Sequence, residues 1–233
     1  MKKRLIIIIP ARSGSTSIKN KNMKKINGKP LLYYTCNFAK KLKNKENVII
    51  GCTDKKKIQN YFNSQKILSP FLRPANISKK FSLDIEYINY SLNFFSQKNI
   101  YFLAGLILRP TSPIRFISDY LSAKRKFFKI KDASSLRSVI KSPITPYKMW
   151  FKSGNKLKSI MTSNNKEHYN MPRQKLKKTF WQTGTFDFFK VDYKKKINSI
   201  SGRKIICYEL KNKFNIDVDT SKDYTVLRNY LKK

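Results

Sequence analysis

The stretch Leu5-Ile6-Ile7-Ile8-Ile9 constrains this chain more than any other. Every position is Leu or β-branched, with no polar residue for a wet face. A strand of this kind must be covered on both sides, as in the interior of a parallel sheet. Lys2-Lys3-Arg4 in front of it imitates a leader. The apolar run is too short, however, since a leader needs about 7–15 apolar residues, and Arg12 follows at once. No run approaches the roughly 20 residues of a membrane span. The expectation is a cytoplasmic protein without membrane contact.

The segments that follow alternate in period. Pro30 opens a helical stretch in which Leu31, Tyr34, Phe38 and Leu42 recur every three or four residues. Val48–Ile50 predicts a second strand and Lys55–Phe62 a second helix. Ser82 is placed to cap a third helix, with Ile85, Ile88, Leu92 and Phe95 on one face. Ile100–Leu108 reads as another buried strand, and Ile117–Phe128 as a helix. Alternation of this kind predicts an α/β fold: a mostly parallel sheet with helices on both faces. From Asp132 the pattern loosens. Residues 141–182 are mostly polar, with hairpin-like fragments at Tyr147–Phe151 and Leu157–Met161. A compact domain seldom carries so long a plain loop. The segment is therefore expected to cover the site or meet a partner subunit, within a single domain spanning 1–233. Regular structure returns with Thr185–Val191, Lys204–Glu209 and a helix from Ser221.

Charge sets the next limit. The chain has 51 Lys and Arg against 13 Asp and Glu, a formal net charge of +38. A basic surface captures polyphosphate by releasing counterions. Here, however, Lys far outnumbers Arg and is scattered over the whole chain, alongside abundant Asn, Ile, Phe and Tyr. That is the mark of compositional bias more than of a nucleic-acid groove. A field of this sign still draws anionic substrates. Cys36, Cys52 and Cys207 are far apart, so neither a zinc site nor a disulfide framework follows. His168 is the only histidine and reads as a surface residue.

Two constellations carry chemistry. Pro10-Ala11-Arg12-Ser13-Gly14-Ser15 follows the first strand, then Lys21-Asn22 and Asn27-Gly28-Lys29-Pro30. A turn of small residues presents backbone N–H groups to phosphate, with Gly14 free to take a positive φ. Arg12 and Lys21 supply charge for a triphosphate. Neither a P-loop nor G-x-G-x-x-G is present. The second constellation is Asp217-Val218-Asp219-Thr220-Ser221-Lys222-Asp223. Acids are scarce, yet three fall within seven residues. In an extended segment Asp217 and Asp219 lie on one side, about 6.6 Å apart. Two converging carboxylates suit Mg²⁺, which is held by one or two of them together with substrate phosphates. Thr220 and Asp223 are spaced as a capping box.

P-A-R-x-G-S, K-N, N-G-K-P-L, Arg109-Pro110-Thr111-Ser112-Pro113, Arg173-Gln174 and I-D-x-D-T occur in that order from residue 4 to about 230. This order resembles the acylneuraminate cytidylyltransferases, or CMP-sialic acid synthetases. The resemblance implies a nucleotide-diphospho-sugar transferase-like fold, CTP as co-substrate, Mg²⁺, pyrophosphate release and an acidic sugar acceptor. It also implies a homodimer whose extended segment completes the neighbouring site. It assigns Ala11, Arg12, Ser15, Lys21, Asn22, Arg73, Ser82 and Arg109 to the nucleotide. Arg173, Gln174 and Gly184 are assigned to the sugar acid, and Asp217 and Asp219 to the metal. Arg12, Lys21, Asp217 and Asp219 form the catalytic set.

Several positions depart from the family pattern. Ser15-Thr16-Ser17 stands for S-K-G, Arg109 for Gln, and Thr183-Gly184-Thr185 for N-G-A; the usual acid after Arg73 is replaced around Lys79-Lys80. R-Q-x-L-P has become Arg173-Gln174-Lys175-Leu176-Lys177. The sugar acid therefore stays open. Transfer to an eight-carbon Kdo-type acid is one alternative. A basic, non-catalytic nucleic-acid-binding paralogue is the other.

Overall fold

In the computed structural model, which describes residues 2–14, 18–162, 167–192, 196–211 and 215–232, the apolar run forms the centre of strand β1 (Lys2–Pro10). It is followed by two short paired strands, β2 (Lys25–Ile26) and β3 (Lys29–Pro30), and by helix α1 (Leu31–Lys40). Next come β4 (Asn47–Cys52), α2 (Lys56–Ser64), α3 (Asp84–Ser96), β5 (Tyr101–Ile107) and α4 (Ile117–Lys129). Strand β6 (Ser135–Lys141) precedes a hairpin, β7 (Trp150–Ser153) and β8 (Lys156–Ser159). Strand β9 (Phe180–Lys190), β10 (Ile205–Glu209) and α5 (Ser221–Tyr230) complete the order.

The six-stranded sheet runs β10-β6-β9-β5-β1-β4. Strand β1 is parallel to both neighbours, β4 and β5, and β9 returns antiparallel to β5. Leu5 to Ile9 are fully buried, and successive residues enter different cores. Leu5, Ile7 and Ile9 meet α1, α2 and α4 through Cys36, Phe62 and Phe127. Ile6 and Ile8 meet α3 through Ile88 and Phe95. This is the period-two alternation of a strand with helices on both faces. Each such side chain contributes about 1.5–3 kcal/mol relative to exposure.

A third, smaller core positions the site. Ile18, Ile26 and Leu31 from the segment after β1 pack with Val218, Tyr224 and Leu227 from the end of the chain. The Asn27 amide donates to Arg228 O at 3.2 Å, and the Tyr224 hydroxyl donates to Lys25 O. Helix α5 starts where the Thr220–Asp223 spacing predicts: Asp223 N donates to Thr220 Oγ1, and Asp223 Oδ2 accepts from Thr220 N at 2.7 Å.

Some local expectations need correction. Ser82 does not cap α3; Leu83 takes that place, with its N–H donating to Glu86 Oε2 at 2.6 Å. Gly14 does not use a positive φ, whereas Gly28 does, at 79°. The bend after β1 is instead held by Asp54, which accepts from Ser13 N at 2.8 Å and from Ser13 Oγ at 2.7 Å. The segment 215–219 is irregular rather than a strand. His168 is buried, with Nε2 at 3.0 Å from Ser159 Oγ.

The chain divides into two compact units, residues 1–138 with 183–233, and residues 139–182. The smaller unit carries the β7–β8 hairpin. Ile144, Phe151, Leu157, Phe180 and Trp181 within it are all exposed. No helix among the described residues is long and apolar enough to cross a membrane.

Candidate functional site

A cleft of about 390 Å³ opens where β1 and β5 end, the place at which open parallel sheets bind ligands. Pro10, Arg12, Lys21, Asn22, Arg73 and Ser82 line it, with Lys79, Lys80, Asp84, Tyr87, Arg109, Pro110, Thr111 and Asp219. The structure thus gathers most of the residues singled out from sequence into one cavity. Ala11 is close by but fully buried, contributing a backbone N–H to Cys52 O at 2.9 Å. Ser15 lies outside the described residues.

The cations of the cleft fall into two groups. Arg12, Arg73, Lys79 and Lys80 make no ion pair among the described residues. The Arg12 guanidinium donates to Lys79 O at 2.9 Å, and the Asn22 amide donates to Arg12 O at 2.9 Å, which fixes the loop after β1. Arg73 is buried. It donates from Nη2 to Cys52 O at 3.0 Å and lies over the Tyr87 ring at 4.5 Å, while its Nε has no hydrogen-bond partner.

Lys21 and Arg109 are held differently. Lys21 is buried, and its ammonium donates to Asp219 Oδ1 at 2.8 Å and to Val218 O at 2.9 Å. It lines the cleft while pairing with an acid of the site. Arg109 donates to Asp84 Oδ2 at 2.5 Å and to the fully buried Asp187 at 3.2 Å. Burial lowers its pKa, but Tyr87, Asp84 and Asp187 outweigh this and hold it above the ordinary arginine value. Gly184 sits beside this pair at φ 65°. A Cβ there would come within 3.1 Å of Arg109 Cδ and 3.3 Å of Ser112 Oγ.

Asp217 and Asp219 flank Val218, whose burial in the third core turns both acids outward. Desolvation raises the Asp217 carboxyl above its ordinary value, with Asp219 pushing the same way. The Thr111 hydroxyl, Arg109 and Lys21 pull it back. No group of three or more His, Cys, Asp or Glu side chains suited to a metal occurs among the described residues. A closed protein cage is therefore excluded there. Two carboxylates beside unpaired cations do fit a hard divalent ion that takes its other ligands from water and phosphate.

Arg173 and Gln174 belong to the smaller unit, on a single helical turn, where Arg173 donates to Ser142 O at 2.7 Å. The sequence reading missed Asp54, Asp84, Tyr87 and Asp187. Their signal was scarcity: in a chain with 13 acids, a buried or cleft-facing one carries information.

Residues 6–106 match the family model described as Cytidylyltransferase. Over that part the chain is similar to known cytidylyltransferases. Among its relatives is a CMP-N,N'-diacetyllegionaminic acid synthase of Legionella pneumophila. It is 32% identical over 112 residues, which are 48% of this chain and 48% of that protein. An N-acylneuraminate cytidylyltransferase of Escherichia coli is 30% identical over 142 residues, 61% of this chain and 32% of the relative. The chain thus spans at most about half the length of these two curated relatives. Among solved structures, CMP:2-keto-3-deoxy-manno-octonic acid synthetase complexed with CTP superposes with a TM-score of 0.69. It covers 99% of both chains at 14% identity. A 4-diphosphocytidyl-2C-methyl-D-erythritol synthase gives 0.64 at 11% identity, again over 99% of both chains. At these identities the likeness shows a shared fold alone.

Proposed function

We propose that this chain transfers CMP from CTP to the anomeric hydroxyl of a sialic-acid-like nonulosonic acid. One observation carries the reading: cations without an ion pair among the described residues share a cleft at the ends of β1 and β5 with Asp219 of the D-x-D segment. The substrate class comes from the acylneuraminate-type relatives.

In this reading Arg12, Lys79 and Lys80 offset triphosphate charge, and Arg73 uses its unpartnered Nε toward the nucleotide after a small shift. Asn22 keeps the Arg12 loop in place. The anomeric oxygen attacks the α-phosphorus, forming the new P–O bond as the bond to the bridging oxygen of the β-phosphate breaks. Pyrophosphate leaves, and the hydroxyl proton is released. Positioning and electrostatics do the work, without a covalent protein intermediate. Mg²⁺ on Asp217 and Asp219 would neutralise developing charge on the phosphate oxygens. The resemblance assigns Arg173 and Gln174 to the sugar carboxylate. A cytoplasmic homodimer belongs to the same reading, supported by the exposed apolar residues of the smaller unit and by three free cysteines.

The test is CTP turnover with pyrophosphate detection against sialic, legionaminic, pseudaminic and Kdo-type acids, with and without Mg²⁺. Magnesium-dependent turnover with a nine-carbon acid is expected, from a species of twice the chain mass by light scattering. Turnover with the Kdo-type acid alone would transfer the assignment to the eight-carbon reaction. Salt-sensitive RNA or DNA binding with no CTP turnover would replace it with a nucleic-acid-binding role.

A further inference from the structure

We infer that Arg115 is a positioning residue for Asp217 and Asp219, acting through the Arg109–Pro113 turn; the inference rests on the metal-assisted reading above. The turn grips the acidic segment at two consecutive residues. Thr111 O accepts from Val218 N at 2.8 Å. Ser112 Oγ adds a long contact of 3.5 Å to Asp217 Oδ1 while donating to Thr183 O at 2.9 Å. The angle at which the two carboxylates leave the chain is therefore set by where this turn lies.

Arg115 decides where it lies. Its Nη2 donates to Arg109 O at 2.7 Å, closing the turn on itself. Its Nε donates to Thr185 O on β9 at 3.0 Å, and Nη1 donates to Thr35 Oγ1 on α1 at 3.0 Å. One planar fork thus ties the turn to a strand and a helix of the rigid core. All three acceptors are neutral, so the buried charge is balanced only at longer range. Burial pulls its pKa down to about 9, against the opposing pull of Asp217 and Asp187. A lysine carries the charge but cannot span three divergent acceptors.

The experiment measures Mn²⁺ binding by the electron paramagnetic resonance of the free ion, with CTP present and no acceptor sugar. The unaltered chain is compared with R115M, R115K, T35V and D217N. CTP affinity in EDTA and the melting temperature are recorded for each. Replacing a residue that orients a metal ligand weakens the metal by about 10–100-fold. R115M is accordingly expected to raise the Mn²⁺ dissociation constant by about tenfold or more, R115K by less, and T35V by roughly threefold. CTP affinity in EDTA should stay within about twofold in all three, because none of them alters a side chain that lines the cleft. A purely structural role would lower the melting temperature and leave the Mn²⁺ constant alone, and that result in folded R115M overturns the inference. If R115M does not fold, unchanged Mn²⁺ binding in both R115K and T35V overturns it equally. If the unaltered chain binds no Mn²⁺, or D217N binds it normally, the metal reading fails and this inference fails with it.

Discussion

The two cation groups of the cleft invite comparison. Arg12, Arg73, Lys79 and Lys80 face the cavity without an ion pair among the described residues, whereas Lys21 holds one acid and Arg109 two. All six positions look alike in sequence. In the structure Lys21 and Arg109 join distant segments through carboxylates, whereas Arg12 and Arg73 bond backbone carbonyls. Lys21 ties the loop after β1 to the last segment of the chain, and Arg109 ties α3 to β9.

The change that breaks this comparison most severely is Asp219→Asn. It removes one carboxylate of the proposed metal pair and the partner of the buried Lys21 together. Turnover should fall by about a thousandfold or more, several kcal/mol of barrier, with the circular dichroism spectrum unchanged. Near-full activity would dissolve the metal assignment. Arg12→Ala samples the unpaired group, where the KM for CTP should rise roughly tenfold, about 1.4 kcal/mol, while pyrophosphate release at saturating CTP falls less. Steady-state kinetics at fixed magnesium reads both. An unchanged KM would mean that unpaired cations in this cleft are ordinary surface charge. Arg109→Gln samples the paired group and has the smallest effect on chemistry. The KM for CTP should stay within about threefold, while the melting temperature drops by roughly 2–4 °C as Asp84 and Asp187 lose their shared partner. A tenfold change in KM without a thermal shift would move Arg109 into the nucleotide-contacting group.

Much of the fold was legible because hydrophobic period is local. Leu5–Ile9 announced its own burial, and the repeats in α1, α2 and α4 fell within a few residues of where they form. Strand β6 was not legible. Its Ser135 and Ser138 are fully buried, yet they read as polar loop, because their partners are far away in sequence. Ser138 Oγ accepts from Phe186 N at 2.8 Å and lies 2.8 Å from Thr183 Oγ1. In the site, Arg12, Lys21 and Asp219 were found because a compact motif or a cluster of rare acids marked them. Asp84 and Asp187 were not, since each is a single acid whose meaning appears only when Arg109 lies between them. For the same reason the pairing of Lys21 with Asp219 could not be read from sequence.

The acids at 54, 84, 187, 217, 219 and 223 are six of the 13 in the chain, and all cluster in or beside one cleft. The other seven acids are set against 51 Lys and Arg, so the chain as a whole stays strongly cationic. Copies of the molecule must therefore repel one another when little salt is present, and any self-association has to overcome that repulsion. Ionic strength, more than protein concentration alone, should govern whether the chain is found single or paired.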